Sequence, residues 1–144
     1  MPTFLGQIVD WQMILAAHVS DAGSPINQQT PAFGALIDTG AQGSAISQKV
    51  VDALSLKPSG WTTIMGVHGS EDAQVYTVSI GIPITEDVVD INGASMAHTI
   101  TRSKNRIEAS LMGFQDPKFD VLLGMDVLSG FHLNIYGDQF ILSN

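Results

Sequence analysis

Apolar positions in this chain fall into short runs separated by turn-forming residues, and few of them keep a helical period. Runs rich in β-branched and aromatic side chains at 6–11, 13–19, 32–37, 62–67, 75–82, 107–114, 121–123, 131–136 and 139–142 predict strands, because such side chains suit a pleated, half-buried surface. Asp21-Ala22-Gly23-Ser24-Pro25, His68-Gly69-Ser70-Glu71-Asp72 and Gly137-Asp138 predict turns between them, since Gly and Asp tolerate positive φ and Pro presets a bend. Helix is predicted twice. One segment is 47–54, where Ser47 can cap and Val50, Val51 and Leu54 share a face; the other is a short turn at 125–128. Residues 85–106 are polar, contain Gly and Asn, and follow neither period, so they read as a long excursion or an extra hairpin. The pattern predicts a mostly-β protein.

At 144 residues the chain has the size of one domain, and 44% hydrophobic against 14% charged residues supply the apolar surface for a single core. Six Lys+Arg against fourteen Asp+Glu leave a net charge of −8. That argues against nucleic acid as a partner, because phosphate binding relies on a dense cationic face. With no cysteine there is no disulfide, thiolate nucleophile or Cys-based metal centre. The start Met1-Pro2-Thr3 lacks a basic segment followed by a long apolar stretch, and the longest apolar run, 13–17, is far short of the ~20 residues that span a bilayer. The expectation is a cytoplasmic protein with no membrane partner. His18, His68, His98 and His132 show no short ligand spacing, so no metal is expected.

One segment carries chemistry. In Ala35-Leu36-Ile37-Asp38-Thr39-Gly40-Ala41 a carboxylate follows directly on a strand-like apolar run and precedes a turn of small residues. An Asp at the end of a buried strand is costly to ionise unless partners satisfy it, and Thr39 and Gly40 offer a hydroxyl and an unobstructed backbone. By itself Asp-Thr-Gly is a common triplet that also suits an ordinary Asp-Gly turn. Downstream, Val121-Leu122-Leu123-Gly124-Met125-Asp126-Val127-Leu128 is a second apolar run, broken by a glycine and leading into the helical turn. Asp126 reads there as a helix-start residue rather than a further acid of a site.

Together these segments resemble the retropepsin-like, or retroviral-type, aspartic proteases. In that family an apolar-apolar-Asp-Thr/Ser-Gly-Ala loop carries the catalytic acid, and an apolar-apolar-Gly segment before a short helix packs beneath it. Between them the family has a β-hairpin flap, which matches 62–78, two strand-like arms around a glycine-containing tip. The resemblance spans 32–142. Ala35 to Gln42 and Leu122-Leu123-Gly124-Met125-Asp126 are similar to the cellular branch, the protease domains of the DNA-damage-inducible proteins and their bacterial relatives. Viral members usually carry an acidic residue where this chain has Gln42 and Arg where it has Met125. Both partners of that ion pair are replaced together, which leaves no half-pair buried.

The resemblance implies a single all-β domain over 1–144, a retropepsin-like closed β-barrel with one short helix, acting as a symmetric homodimer. Asp38 would be the catalytic acid, Thr39 would hydrogen-bond across the twofold axis, and Gly40 would leave room for substrate backbone. The chemistry needs two carboxylates about one water, one ionised and one protonated; like charges so close share a proton. This chain has one Asp-Thr-Gly, so the second acid would come from a second copy. Met65, Gly66, Val67, His68 and Gly69 would close over an extended polypeptide, with Ala41 and Leu122 lining the cleft and Ile37 belonging either to its wall or to the core. No cofactor is implied. The expected function is an aspartic endopeptidase. The alternative from another class is a catalytically silent dimer of the same fold that binds peptides or serves as an assembly module.

Overall fold

The short apolar runs fold as strands. A computed structural model describes residues 1–65 and 67–144. In chain order the elements are β1 Thr3–Val9, β2 Gln12–Asp21, β3 Ala32–Ile37, β4 Ala45–Ile46, α1 Gln48–Leu54, β5 Gly60–Gly66, β6 Gly69–Val89, β7 Ser95–Leu111, β8 Val121–Leu123, α2 Met125–Leu128, β9 His132–Tyr136 and β10 Gln139–Ser143. Each predicted strand has its counterpart. The two-residue β4 was not predicted, being too short to show a period.

The strands join in one sheet in the order β5-β6-β7-β4-β8-β3-β2-β1-β10-β9, and β6 pairs additionally with β2 and β1, so the sheet folds back on itself. Its ends, β5 and β9, stay apart in that order, so the expected closed barrel is realised as a folded-over sheet. The core fills the fold. Ala17 and Val19 from β2, Val78, Ile80 and Ile82 from β6, Val121 and Leu123 from β8, and Phe140 and Leu142 from β10 are all buried there. Each large apolar side chain buried in this way stabilises the fold by roughly 1.5–3 kcal/mol.

Helix α1 starts where the sequence predicts. Ser47 is its N-cap, its hydroxyl accepting from the Val50 N–H at 3.4 Å while donating to Asp120 Oδ1 at 2.9 Å. Ser55 ends the helix in the left-handed region at φ 51°.

Residues 85–106 form a hairpin. Strands β6 and β7 pair from Val75↔Ser110 to Val89↔Ser95, with a bulge between Val78 and Ile80. At the tip Asp90 Oδ1 accepts from the Asn92 and Ala94 N–H groups at 2.8 and 2.9 Å, and Gly93 turns at φ 81°. Beyond Thr85 both arms are largely exposed, which is why this stretch carries no clean hydrophobic alternation.

The strand pair that sets up the site is β3 with β8. They run parallel, with Ala35↔Val121, Leu36↔Leu122 and Ile37↔Leu123 in register. Their ends therefore deliver Asp38 and Gly124 to the same margin of the sheet.

Candidate active site

Backbone bonds fix the loop after β3. The Asp38 N–H donates to Leu123 O at 3.0 Å, the Ala41 N–H closes a turn onto Asp38 O at 3.2 Å, and the Gly40 N–H donates to Asp38 Oδ1 at 3.0 Å. Helix α2 grips the same loop from below: the Met125 N–H donates to Ala41 O at 2.8 Å and the Asp126 N–H to Gln42 O at 3.0 Å. Asp38 is half-buried, while Thr39 and Gly40 are exposed.

Two glycines permit this approach. A Cβ at Gly124 would stand 2.6 Å from the Gly43 carbonyl, closer than packed atoms allow. One at Gly40 would stand 3.3 Å from Asp38 Oδ1, so glycine keeps the space beside the carboxylate clear.

The second layer of the site is polar and buried. Ser44, 1% exposed, donates its N–H to Asp126 Oδ2 at 3.0 Å and its hydroxyl to Asp126 Oδ1 at 2.7 Å, and its Oγ accepts the Gly124 N–H at 3.0 Å. Asp126 does lie in the first turn of α2, as expected. Its larger role is to tie the two loops together, a role that its position after an apolar run signals only as a carboxylate in need of donors.

Beside the loop opens a cleft of about 840 Å³. Residues 40–44 form one wall, residues 59–65 the other, and Val75, Glu108 and Ser110 complete it. Because β5 ends the sheet, its outer edge is free to pair with an extended chain. Trp61 and Met65, both exposed, border this space.

The expected site residues divide. Ala41 and Met65 line the cleft beside Gly40. Val67 and His68 form the turn of the β5–β6 hairpin, with Val67 98% exposed, and Gly69 follows at φ 108°. None of these three borders the cleft, and Gly66 lies outside the described residues. Leu122 is half-buried in β8 between Leu36 and Ala45, away from the cleft lining, and Ile37 belongs to the core. Ser44, Trp61, Glu108 and Ser110 were not foreseen; only the fold brings β5 and β7 up to the Asp38 loop. His18 Nδ1 lies 2.7 Å from Thr30 O, a structural contact remote from the cleft. Among the described residues no three His, Asp or Glu side chains gather into a metal-binding group, and no helix is long and apolar enough to cross a membrane.

Comparison with known proteins agrees with this geometry. A family model described as aspartyl protease matches residues 25–127, which include the Asp38 loop, the β5–β6 hairpin and the Gly124 turn. Among solved structures the chain is similar to a retropepsin-like aspartic protease from Rickettsia conorii, with a TM-score of 0.55 and 21% sequence identity over 97% of this chain and 89% of that one. A search of curated proteins gave no match. With the matched segment holding both parallel strands and the loop that they position, the chain belongs to the aspartyl protease family and has a retropepsin-like fold.

Proposed function

We propose that the protein is an aspartic endopeptidase that cuts extended polypeptides as a symmetric homodimer, each copy contributing one Asp38. The observation that carries this reading is the placement of Asp38: half-buried, oriented by the Gly40 N–H, and two residues before the Gly40–Ser44 wall of a cleft whose other wall is the sheet's end strand, β5; Asp38 and Thr39 themselves stand just outside the cleft lining. A second copy is required by the chemistry, because one carboxylate cannot both deprotonate a water and protonate a carbonyl. The outer face of β1–β10–β9 suits that copy. Leu5 and Ile141 sit opposite one another there, Tyr136 shares that face, and all three are exposed.

In the dimer the two Asp38 carboxyl groups hold one water and share one proton. The ionised carboxylate takes a proton from the water as its oxygen bonds to the scissile carbonyl carbon, and the protonated partner gives its proton to the carbonyl oxygen. The resulting gem-diol then collapses: a hydroxyl proton returns to a carboxylate, the C–N bond breaks, and the leaving nitrogen takes up the other carboxyl's proton. The β5–β6 hairpin, with Met65 on its cleft arm and Val67–His68 at its turn, closes over the peptide and excludes bulk water.

Asp38→Asn tests the reading. Purified wild-type protein should cut an unbiased peptide mixture and sediment as a dimer, and the variant should remain dimeric without cutting. Equal cleavage by both forms would remove Asp38 from the chemistry. Wild-type protein that stays dimeric and cuts nothing would instead favour the silent peptide-binding dimer.

A further inference from the structure

We propose that the cleft contains a cation-selecting subsite built on Glu108, so that the preferred polypeptides carry Lys or Arg two or more residues from the cut. This rests on the peptidase reading of the same cleft and adds a substrate class to it. Among the described residues, Glu108 is the one ionisable side chain in the cleft lining; the rest are Gly, Ala, Ser, Thr, Gln, Val, Ile, Met and Trp. Glu108 is exposed, and among the described residues it has no ion-pair or side-chain hydrogen-bond partner. Its charge therefore faces water until a ligand supplies the partner.

The sheet register places it. Gly60, Val75 and Ser110 lie side by side across β5, β6 and β7, and Glu108 is two residues from Ser110 on the same face of β7, opposite Thr77. The Ser110 N–H donates to Ser44 O at 3.2 Å, and β4 and β8 lie between β7 and β3 in the sheet, so Glu108 is separated by two strands from β3, which leads into Asp38. That separation puts the subsite away from the scissile bond, given a rise of about 3.3 Å per residue in an extended peptide. At Gly60 nothing lies within 4 Å of where a Cβ would be, which leaves a long side chain room to cross the strand. Trp61 borders the same space and offers apolar surface to a Lys or Arg stem. The overall charge of −8 raises the local concentration of cationic peptides and opposes acidic ones.

The test uses fluorescein-labelled decapeptides with an apolar centre, identical except for Lys, Gln or Glu at one outer position, that position being scanned. Binding is read by anisotropy on Asp38→Asn protein, and kcat/KM is read on protein with Asp38 intact. The Lys peptide should bind about 2- to 5-fold more tightly than the Gln peptide, the range of a solvated ion pair, and the ratio should shrink with added salt. Glu108→Gln should bring the Lys-to-Gln ratio close to one, Glu108→Asp should keep part of it, and Glu108→Lys should shift preference to the Glu peptide. Equal binding of the three peptides, binding of none, or a Lys preference that survives Glu108→Gln overturns the subsite. Because binding is scored without turnover, a Glu108-dependent preference in a protein that never cuts counts against the peptidase reading alone. Cleavage without any preference counts against the subsite alone.

Discussion

Ser44 and Asp126 lie 82 positions apart in the chain and hold each other by two hydrogen bonds, from the Ser44 N–H at 3.0 Å and the Ser44 hydroxyl at 2.7 Å. Through Ser44 Oγ the same pair reaches the Gly124 N–H at 3.0 Å. The loop that presents Asp38 and the turn that begins α2 are therefore one mechanical unit. A carboxylate acceptor makes the two Ser44–Asp126 bonds stronger than neutral pairs, and Ser44 is too deeply buried for water to replace them.

Removing the acid should loosen that unit. Asp126→Ala strands the Ser44 N–H and is expected to cost about 3 kcal/mol, with Asp126→Asn, which keeps one acceptor oxygen, costing about half as much. Urea unfolding of the three proteins measures this. Indistinguishable midpoints would mean that the two loops are held by their backbone contacts alone.

Gly124→Ala should destabilise by about 1–3 kcal/mol, because its Cβ would be forced against the Gly43 carbonyl from 2.6 Å. Thermal unfolding reads the effect, and a Tm equal to that of the parent protein would show that the Gly43 segment yields without strain.

Gly40→Ala separates stability from turnover. Its Cβ meets only Asp38 Oδ1, at 3.3 Å, so the unfolding free energy should change by under about 1 kcal/mol, as at other exposed sites. Peptide cleavage should nonetheless fall by about 10- to 100-fold, since a carboxylate displaced by a fraction of an ångström loses its alignment with water and substrate. Full activity in this variant would contradict the placement of substrate backbone against Gly40.

Leu5→Asp and Ile141→Asp address the second copy. Each places a charge in the exposed apolar face of β1–β10–β9, where Leu5 and Ile141 are neighbours, so each should shift sedimentation from dimer to monomer and abolish cleavage together with it. Retained dimers would move the proposed twofold contact to another face.

The fold was legible where burial is one-sided or complete. Runs such as 32–37 and 121–123 announce themselves because both faces of β3 and β8 need apolar cover, and Ser47 announces α1 because a hydroxyl there satisfies an otherwise unpaired N–H. The β6–β7 hairpin beyond Thr85 was not legible, since exposed arms are free to carry any polar residue. At the site, Asp38-Thr39-Gly40 was visible from local sequence. Ser44 with Asp126, and Glu108 with the cleft, were not: each relation spans distant segments that only the β3–β8 and β6–β7 registers bring together.

Strand β6 spans 21 residues, from the Val67–His68 turn to the tip at Asp90, and its middle is clamped between β2 and β7. A beam held at its centre passes little disturbance from one end to the other. The Asn92-Gly93 tip is thus a place to attach a dye, a tether or an affinity handle while the opposite end, proposed to close over substrate, is left undisturbed.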